Sequence, residues 1–223
     1  NPAQTIYTGY AVSSEWEAVN NLQIGGRNLL LNSNSIITSG ADNPSGSTYT
    51  NTLNDKGYRE VVITSTGVGV SSYRYTFIQS LLSDGFFKSN QDYVLSFEYK
   101  TNTEGSVIKL DTRDPSTYMN FYAGNTNGEW RKGFVLLNWT IINQNKSLFV
   151  VSPKHEEGAY IGYRKLKIEY GNKATDWTPA PEDVQADIAT AQQAAKDAIA
   201  QEAGYTDFAD MQDKAALTVN GLL

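Results

Sequence analysis

Between Asp92 and Lys100 the side chains alternate: Tyr93, Leu95, Phe97 and Tyr99 fall on one face of an extended chain, and Ser96, Glu98 and Lys100 on the other. An extended segment with one apolar and one charged face is stable only when a second layer covers the apolar side. The same pattern recurs in short runs. Residues 57–66 carry Val61-Val62-Ile63. Residues 71–78 set Tyr73, Tyr75 and Phe77 against Arg74, Thr76 and Ile78. Residues 107–112 set Ile108 and Leu110 against Lys109 and Asp111, and 28–32, 133–142, 147–151 and 160–170 complete the set. Between them lie turn sequences, among them Asp42-Asn43-Pro44-Ser45-Gly46, Thr103-Glu104-Gly105 and Gly124-Asn125-Thr126-Asn127-Gly128. Many short strands without intervening helical periodicity predict a mainly β fold, an antiparallel β-sandwich rather than a parallel α/β sheet.

The chain has 223 residues, enough for a buried core in one or two domains. Its 14 tyrosines and many Ser, Thr, Asn and Gly residues suit a pleated, turn-rich structure. Eighteen basic and 24 acidic residues leave a net charge of −6, the wrong sign for a phosphate backbone, so nucleic acid is not an expected partner. No apolar run approaches the ~20 residues that span a bilayer, so no membrane partner is expected. Cysteine is absent, which excludes disulfides, thiolate metal sites and cysteine nucleophiles.

Pattern divides the chain into three. Residues 1–26 are a short mixed segment in which Ile6 to Val12 reads as a strand, too small for a domain and expected to dock on a neighbour or continue one upstream. Residues 27–180 hold the sandwich. From Pro181 the composition turns to Ala, Gln and Asp. Proline and acids in a first turn start a helix. Val184, Ile188, Ala191, Ala195 and Ala198 then follow at helical spacing up to Gly204, a natural left-handed end. A second helix carrying Phe208, Met211 and Leu217 is expected after Tyr205. So narrow an apolar stripe stabilises a long polar helix only against a partner, either copies of itself in a coiled coil or its own sandwich. Leu222-Leu223 reads as the cut end of a longer protein.

Motifs for catalysis are sparse. His155 is the lone histidine, in a loop-like Ser-Pro-Lys-His-Glu-Glu-Gly run; with no second His and no Cys, zinc chemistry is not expected, a Ser-His-Asp arrangement lacks any nucleophile-elbow phrase, and a solvated loop histidine is the reading. Glu98, Asp111, Asp114, Glu156 and Glu157 are the acids available for glycoside hydrolysis, which needs two carboxylates about 5–10 Å apart. Asp42, Asp92 and Asp114 lie in turns where oxygen ligands can converge on a structural calcium ion, although no EF-hand-like loop is present. No cofactor is otherwise implied, and Gly67-Val68-Gly69 lacks the rest of a phosphate loop.

Two phrases far apart in the chain carry a family resemblance. Gly25-Gly26-Arg27-Asn28-Leu29-Leu30-Leu31-Asn32-Ser33 and Leu166-Lys167-Ile168-Glu169-Tyr170-Gly171 through Trp177-Thr178-Pro179 resemble the opening and closing strands of jelly-roll, carbohydrate-binding-module-like domains of bacteriophage tail and baseplate proteins. Asn90 to Lys100 resembles the central Y-x-L-S-F-x-x-K strand of such modules. Gly128-Glu129-Trp130 resembles their next recurring phrase, and Gly158-Ala159-Tyr160-Ile161-Gly162 onward their last strand. The chain departs from the pattern at Ile161-Gly162-Tyr163, where the family often has Ile-Asp, so the role of that Asp does not carry over. The resemblance implies a non-catalytic adhesion module in a virion tail that attaches to bacterial surface polysaccharide and has other tail or baseplate proteins as partners. The Ala-rich helix resembles fibre segments that trimerise, so a homo-oligomer, and a trimer first, is expected. Two rivals remain: a purely structural tail-fibre spacer, and a carbohydrate-binding module appended to a secreted glycan-degrading enzyme.

A sugar site combines aromatic rings that stack on pyranose faces with polar groups that bond hydroxyls. If Tyr93 to Tyr99 face the core, Glu98 points outward, and by the same alternation so do Arg74, Asp111 and Arg113. Asp114 to Tyr122 adds Tyr118, Phe121 and Tyr122 to an otherwise polar loop. The expected ligand-binding set is Arg74, Glu98, Asp111, Arg113, Tyr118 and Tyr122. The competing reading makes Phe121 and Tyr122 a strand end and the charges an ordinary solvated face. Trp130 and Trp139 are expected to pack, and Trp177 to seal the base of the sandwich.

Overall fold

The computed structural model describes residues 25–33, 40–41, 44–56, 58–69, 73–77, 91–111, 119–138 and 148–219. Among them are strands β1 (Gly40–Ala41), β2 (Ser47–Leu53), β3 (Arg59–Ser65), β4 (Arg74–Phe77), β5 (Asp92–Thr101), β6 (Ser106–Asp111), β7 (Met119–Ala123), β8 (Arg131–Asn138), β9 (Leu148–Ser152) and β10 (Tyr160–Tyr170). They form two five-stranded sheets, ordered β1-β4-β9-β6-β7 and β2-β3-β10-β5-β8, with every pairing antiparallel. This is the β-sandwich that the alternation predicts. Tyr93, Leu95, Phe97 and Tyr99 of β5 are all buried, packed in one cluster with Ile108 and Leu110 of β6 and Phe149 and Val151 of β9. Aromatic pairs join the sheets edge-on: Phe121 lies 5.1 Å from Phe97 and 4.9 Å from Tyr99, and Phe149 lies 5.3 Å from Tyr163.

Three strands escape the sequence pattern, the two-residue β1 among them. β2 is an edge strand of Ser, Thr and Asn whose side chains are largely exposed, so it carries no apolar stripe. β7 falls within the segment read as a loop. It pairs with β6 in register, Val107 opposite Tyr122 and Ile108 opposite Phe121.

The opening and closing phrases turn out to be one structural unit. Asn28 is fully buried. Its Nδ2 donates to the Thr178 carbonyl (2.9 Å) and to Ser33 Oγ (3.0 Å), while its Oδ1 accepts from the Leu30 N–H (3.0 Å) and the Ile168 N–H (3.3 Å). Leu29 N–H donates to the Ile168 carbonyl at 2.7 Å. A Cβ on Gly25 would stand 2.1 Å from the Tyr170 carbonyl oxygen, so only glycine passes there. Beside it lies a buried ion pair. Lys167 Nζ is 3.1 Å from Glu169 Oε2 and donates to Thr175 Oγ1 (2.6 Å) and the Asp176 carbonyl (2.9 Å). The Glu169 carboxylate accepts from the N–H groups of Gly26 and Thr175 and from the Thr175 hydroxyl. These bonds strap the segment after β10 across the outer face of its own sheet.

The chain divides into two compact units, 1–180 and 181–223. The second is a helical hairpin of α1 (Pro181–Glu202) and α2 (Phe208–Val219). Gly204 at φ 87° ends α1, with the Tyr205 N–H returning to the Ala200 carbonyl. Asp197 Oδ1 caps α2 at the Phe208 N–H, and Ala200 is buried. Val184 and Ile188, the start of the expected stripe, are exposed. Among the described residues no helix is long and apolar enough to cross a membrane.

Candidate functional site

Register fixes what each outer face presents. On the first sheet Val107, Lys109 and Asp111 of β6 share a face with Tyr122 and Asn120 of β7 and with Ser152 and Val150 of β9. Tyr75 of β4 joins them opposite Val150. A shallow groove of about 240 Å³ runs between Tyr73, Val107, Lys109, Asn120, Tyr122, Val150 and Ser152. Tyr122 is 70% exposed, and Asn120 Nδ2 donates to its hydroxyl at 3.2 Å. Tyr73 and Tyr75 lie 6.4 Å apart at the other side of β9, and Lys109 and Asp111 form an ion pair at 3.0 Å. A flat ring standing in solvent over a groove that also holds an amide and a carboxylate-paired ammonium is able to stack on one face of a sugar and bond its hydroxyls.

The outer face of the second sheet is built differently. The register of β10 on β5 shifts between Arg164 and Lys167, and Lys165 there has φ 55°. This bulge turns Arg164 and Lys165 out together. Arg164 Nε donates to Glu98 (2.6 Å) and Nη1 to Glu60 (2.5 Å), and Lys165 Nζ reaches Glu98 at 2.8 Å. Burial alone would raise the Glu98 carboxyl pKa; the hydrogen bonds and charges of Lys165 and Arg164 outweigh it and hold the group below its ordinary value. The Arg164 guanidinium also lies 4.1 Å from the Trp130 ring centre and 5.1 Å from that of Tyr58.

The expected site residues therefore do not converge. Asp111 and Tyr122 share the outer face of the first sheet. Glu98 lies on the outer face of the second. Arg74, expected to point outward, is instead buried opposite Val151. Its Nε donates to Ser47 Oγ at 3.1 Å, Nη2 donates to the Ser47 carbonyl, and its guanidinium lies 4.6 Å from the Tyr49 ring centre. It ties the two sheets together at β2 and β4. Burial lowers its pKa, with Tyr49 opposing. Arg113 and Tyr118 lie outside the described residues, as does Trp139. Alternation failed for Arg74 because four residues of an edge-proximal strand do not reveal which face looks inward. Asn120 and Tyr73 join the groove without having been expected there, as does Lys109, which alternation turns outward but which was not among the expected ligand residues; for Asn120 the pairing of β7 with β6 supplies the missing signal.

Solved structures that resemble this chain include the CBM22-1 xylan-binding domain of Paenibacillus barcinonensis Xyn10C, with 15% identity, 63% of this chain and 92% of that one covered, and a TM-score of 0.40. A family 16 carbohydrate-binding module matches with 14% identity, 63% and 99% coverage, and a TM-score of 0.40. The enzymatically active domain of tailspike protein 4 from bacteriophage CBA120 matches with 15% identity, 62% and 21% coverage, and a TM-score of 0.37. No family model and no curated protein matches. Likeness this distant leaves the ligand to be argued from the residues.

Glu98 and Asp111, two of the acids considered for hydrolysis, stand on different sheets' outer faces and cannot flank one glycosidic bond. Glu156 pairs with Lys154 at 2.6 Å. His155 is exposed, its Nε2 2.7 Å from the Gly69 carbonyl oxygen. Of the acids considered for calcium, Asp42 and Asp114 lie outside the described residues and Asp92 opens β5 at the surface. Among the described residues no three His, Asp or Glu side chains gather to hold an ion. Trp130 does pack, but on the cations Arg164 and Lys100 rather than in the core. Trp177 packs edge-on against Tyr58 at 6.2 Å and donates to the Leu166 carbonyl at 3.0 Å. Where the family pattern has Asp, a Cβ on Gly162 would stand 3.0 Å from the Lys100 stem, which fills that space.

Proposed function

We propose that this protein is a non-catalytic glycan-binding module of a phage tail or baseplate protein, and that it holds bacterial surface polysaccharide on the outer face of the first sheet. The observation that carries this reading is Tyr122, a large ring left 70% exposed on the outer face of edge strand β7 rather than at a loop tip, beside a groove that Asn120 and Lys109 also line, with Asp111 paired to Lys109. The groove is smaller than a drug-sized cavity and suits one or two sugar rings laid across the strands. Tyr122 supplies the stacking surface, Asn120 and Asp111 accept hydroxyl protons, and Lys109 donates. The opening and closing phrases support the tail assignment. Weak binding of this kind gains from several linked copies. The exposed Val184 and Ile188 of α1 support a self-associating helix, with a trimer as the first expectation.

The test is binding of the purified chain to a panel of bacterial surface polysaccharides, with Tyr122→Ala and Asp111→Ala beside the parent. Selective binding that either folded variant loses is the expected result. A folded chain that binds none of them returns the protein to the spacer reading, in which the face is an ordinary solvated surface.

A further inference from the structure

We infer that the opposite face of the sandwich holds a second saccharide site, selective for acidic sugars. It is a groove of about 410 Å³ between strands β5 and β8 and the strap from Asn172 to Trp177. That volume lies in the range of small-molecule pockets. Its apolar surface comes from Phe134, Trp177 and Ala174, its polar surface from Glu98, Lys132, Lys165 and Lys173. Phe134 is 56% exposed on β8, opposite Ser96, with no ring contact among the described residues. This large apolar ring borders a concave surface together with Trp177 and Ala174.

The charge of the groove differs from that of the chain. Three lysines line it against two acids, Glu98 and Asp176, in a protein of net charge −6. Both acids are already engaged. Glu98 takes Lys165 and Arg164, and Asp176 takes Lys132 at 2.7 Å. Lys173 is exposed and makes no ion pair among the described residues, so the positive excess faces the groove. A carboxylate-bearing sugar answers this arrangement: its ring lies on Phe134, and its carboxylate meets Lys173 and Lys132. The walls are fixed before any ligand arrives. The buried Lys167–Glu169 pair holds the strap through Thr175, and the bulge holds Lys165 on Glu98. The second face differs in chemistry from the first, so the two faces take different sugars and the acidic one belongs to the second.

This inference rests on the glycan-binding reading but fails separately from it. Tetragalacturonate and a hyaluronate hexasaccharide are titrated into the full chain, with tetragalactose as the neutral control, and binding is followed by calorimetry and by tryptophan fluorescence, to which Trp177 contributes. An acidic oligosaccharide is expected to bind in preference to the neutral one, and rising salt weakens it. Phe134→Ala and Lys173→Glu, both surface changes, are each expected to weaken it by about tenfold or more, while Tyr122→Ala leaves it unchanged. Absence of binding by both acidic probes at millimolar concentration overturns the inference. So does acidic binding that survives the Phe134→Ala, Lys173→Glu double variant, or that Tyr122→Ala abolishes. Loss of polysaccharide binding in Tyr122→Ala with the acidic titration intact upholds both sites.

Discussion

Replacing Asn28 by alanine isolates the junction of the two phrases. Asn28 has no solvent exposure, and the substitution removes partners from the Leu30 and Ile168 N–H groups and the Thr178 carbonyl; the Leu166 carbonyl keeps its bond from Trp177 Nε1. Each buried group left unpaired costs about 1–3 kcal/mol, and water enters the space of the lost amide for some of them, so the expected loss is about 3–5 kcal/mol. Against a total stability of about 5–15 kcal/mol this is a large fraction. It corresponds to a fall of roughly 6–20 °C in the melting temperature for a unit of this size. The assay is urea unfolding followed by tryptophan emission. All four tryptophans, Trp16, Trp130, Trp139 and Trp177, precede Pro181, so emission reports the sandwich unit and not the helical hairpin. Asn28→Asp is the companion variant: it keeps the acceptor but removes the bonds donated to Ser33, Leu166 and Thr178 and buries a charge, and it is expected to fare no better than alanine. A loss below about 1 kcal/mol in Asn28→Ala would refute the reasoning, because only one net hydrogen bond would then be at stake.

Three other outcomes follow from named contacts. Lys167→Met strands the Glu169 carboxylate in the interior and is expected to cost about 3–5 kcal/mol in the same urea assay, whereas Lys132→Met, which breaks an exposed pair, is expected to change almost nothing. Glu98 has a lowered folded-state pKa, so its contribution to stability is present above the ordinary carboxylate value and is lost as pH falls through the lowered one; Glu98→Gln should flatten the acid limb of a stability–pH profile, and an unchanged limb would show that the ion network is not what titrates. Gly133→Ala sets a Cβ 2.6 Å from the Phe97 ring and 2.9 Å from that of Phe121, an overpacking expected to cost about 1–3 kcal/mol; differential scanning calorimetry showing no change would mean that the rings yield freely.

Much of this molecule is legible one residue at a time. β5 announces itself because every second side chain is large and apolar, and the sandwich follows, since a sheet with one such face must bury it. The helix after Pro181 and its end at Gly204 follow from local backbone preferences alone. The two phrases marked a domain, yet the sequence could not say why they occur together; the reason is that Asn28, Gly25 and Glu169 hold them in contact. The binding face was legible only in part. Lys109 and Asp111 share an outer face with Tyr122 and Asn120 because β7 pairs with β6, and that pairing leaves no mark in a stretch where apolar and polar residues mix. Alternation along one strand gives two faces but not which of them meets the other sheet, which is why Arg74 faces inward. The buried Lys167 and Glu169 lie further still from sequence reasoning. A strict two-residue period sends them to solvent, and they are buried because the strap from Asn172 to Trp177 lies over them and supplies the hydrogen bonds that two desolvated charges require. Periodicity reports how a segment relates to its own backbone; burial and the convergence of side chains depend on which other segment comes to rest on it, and that only the tertiary structure decides.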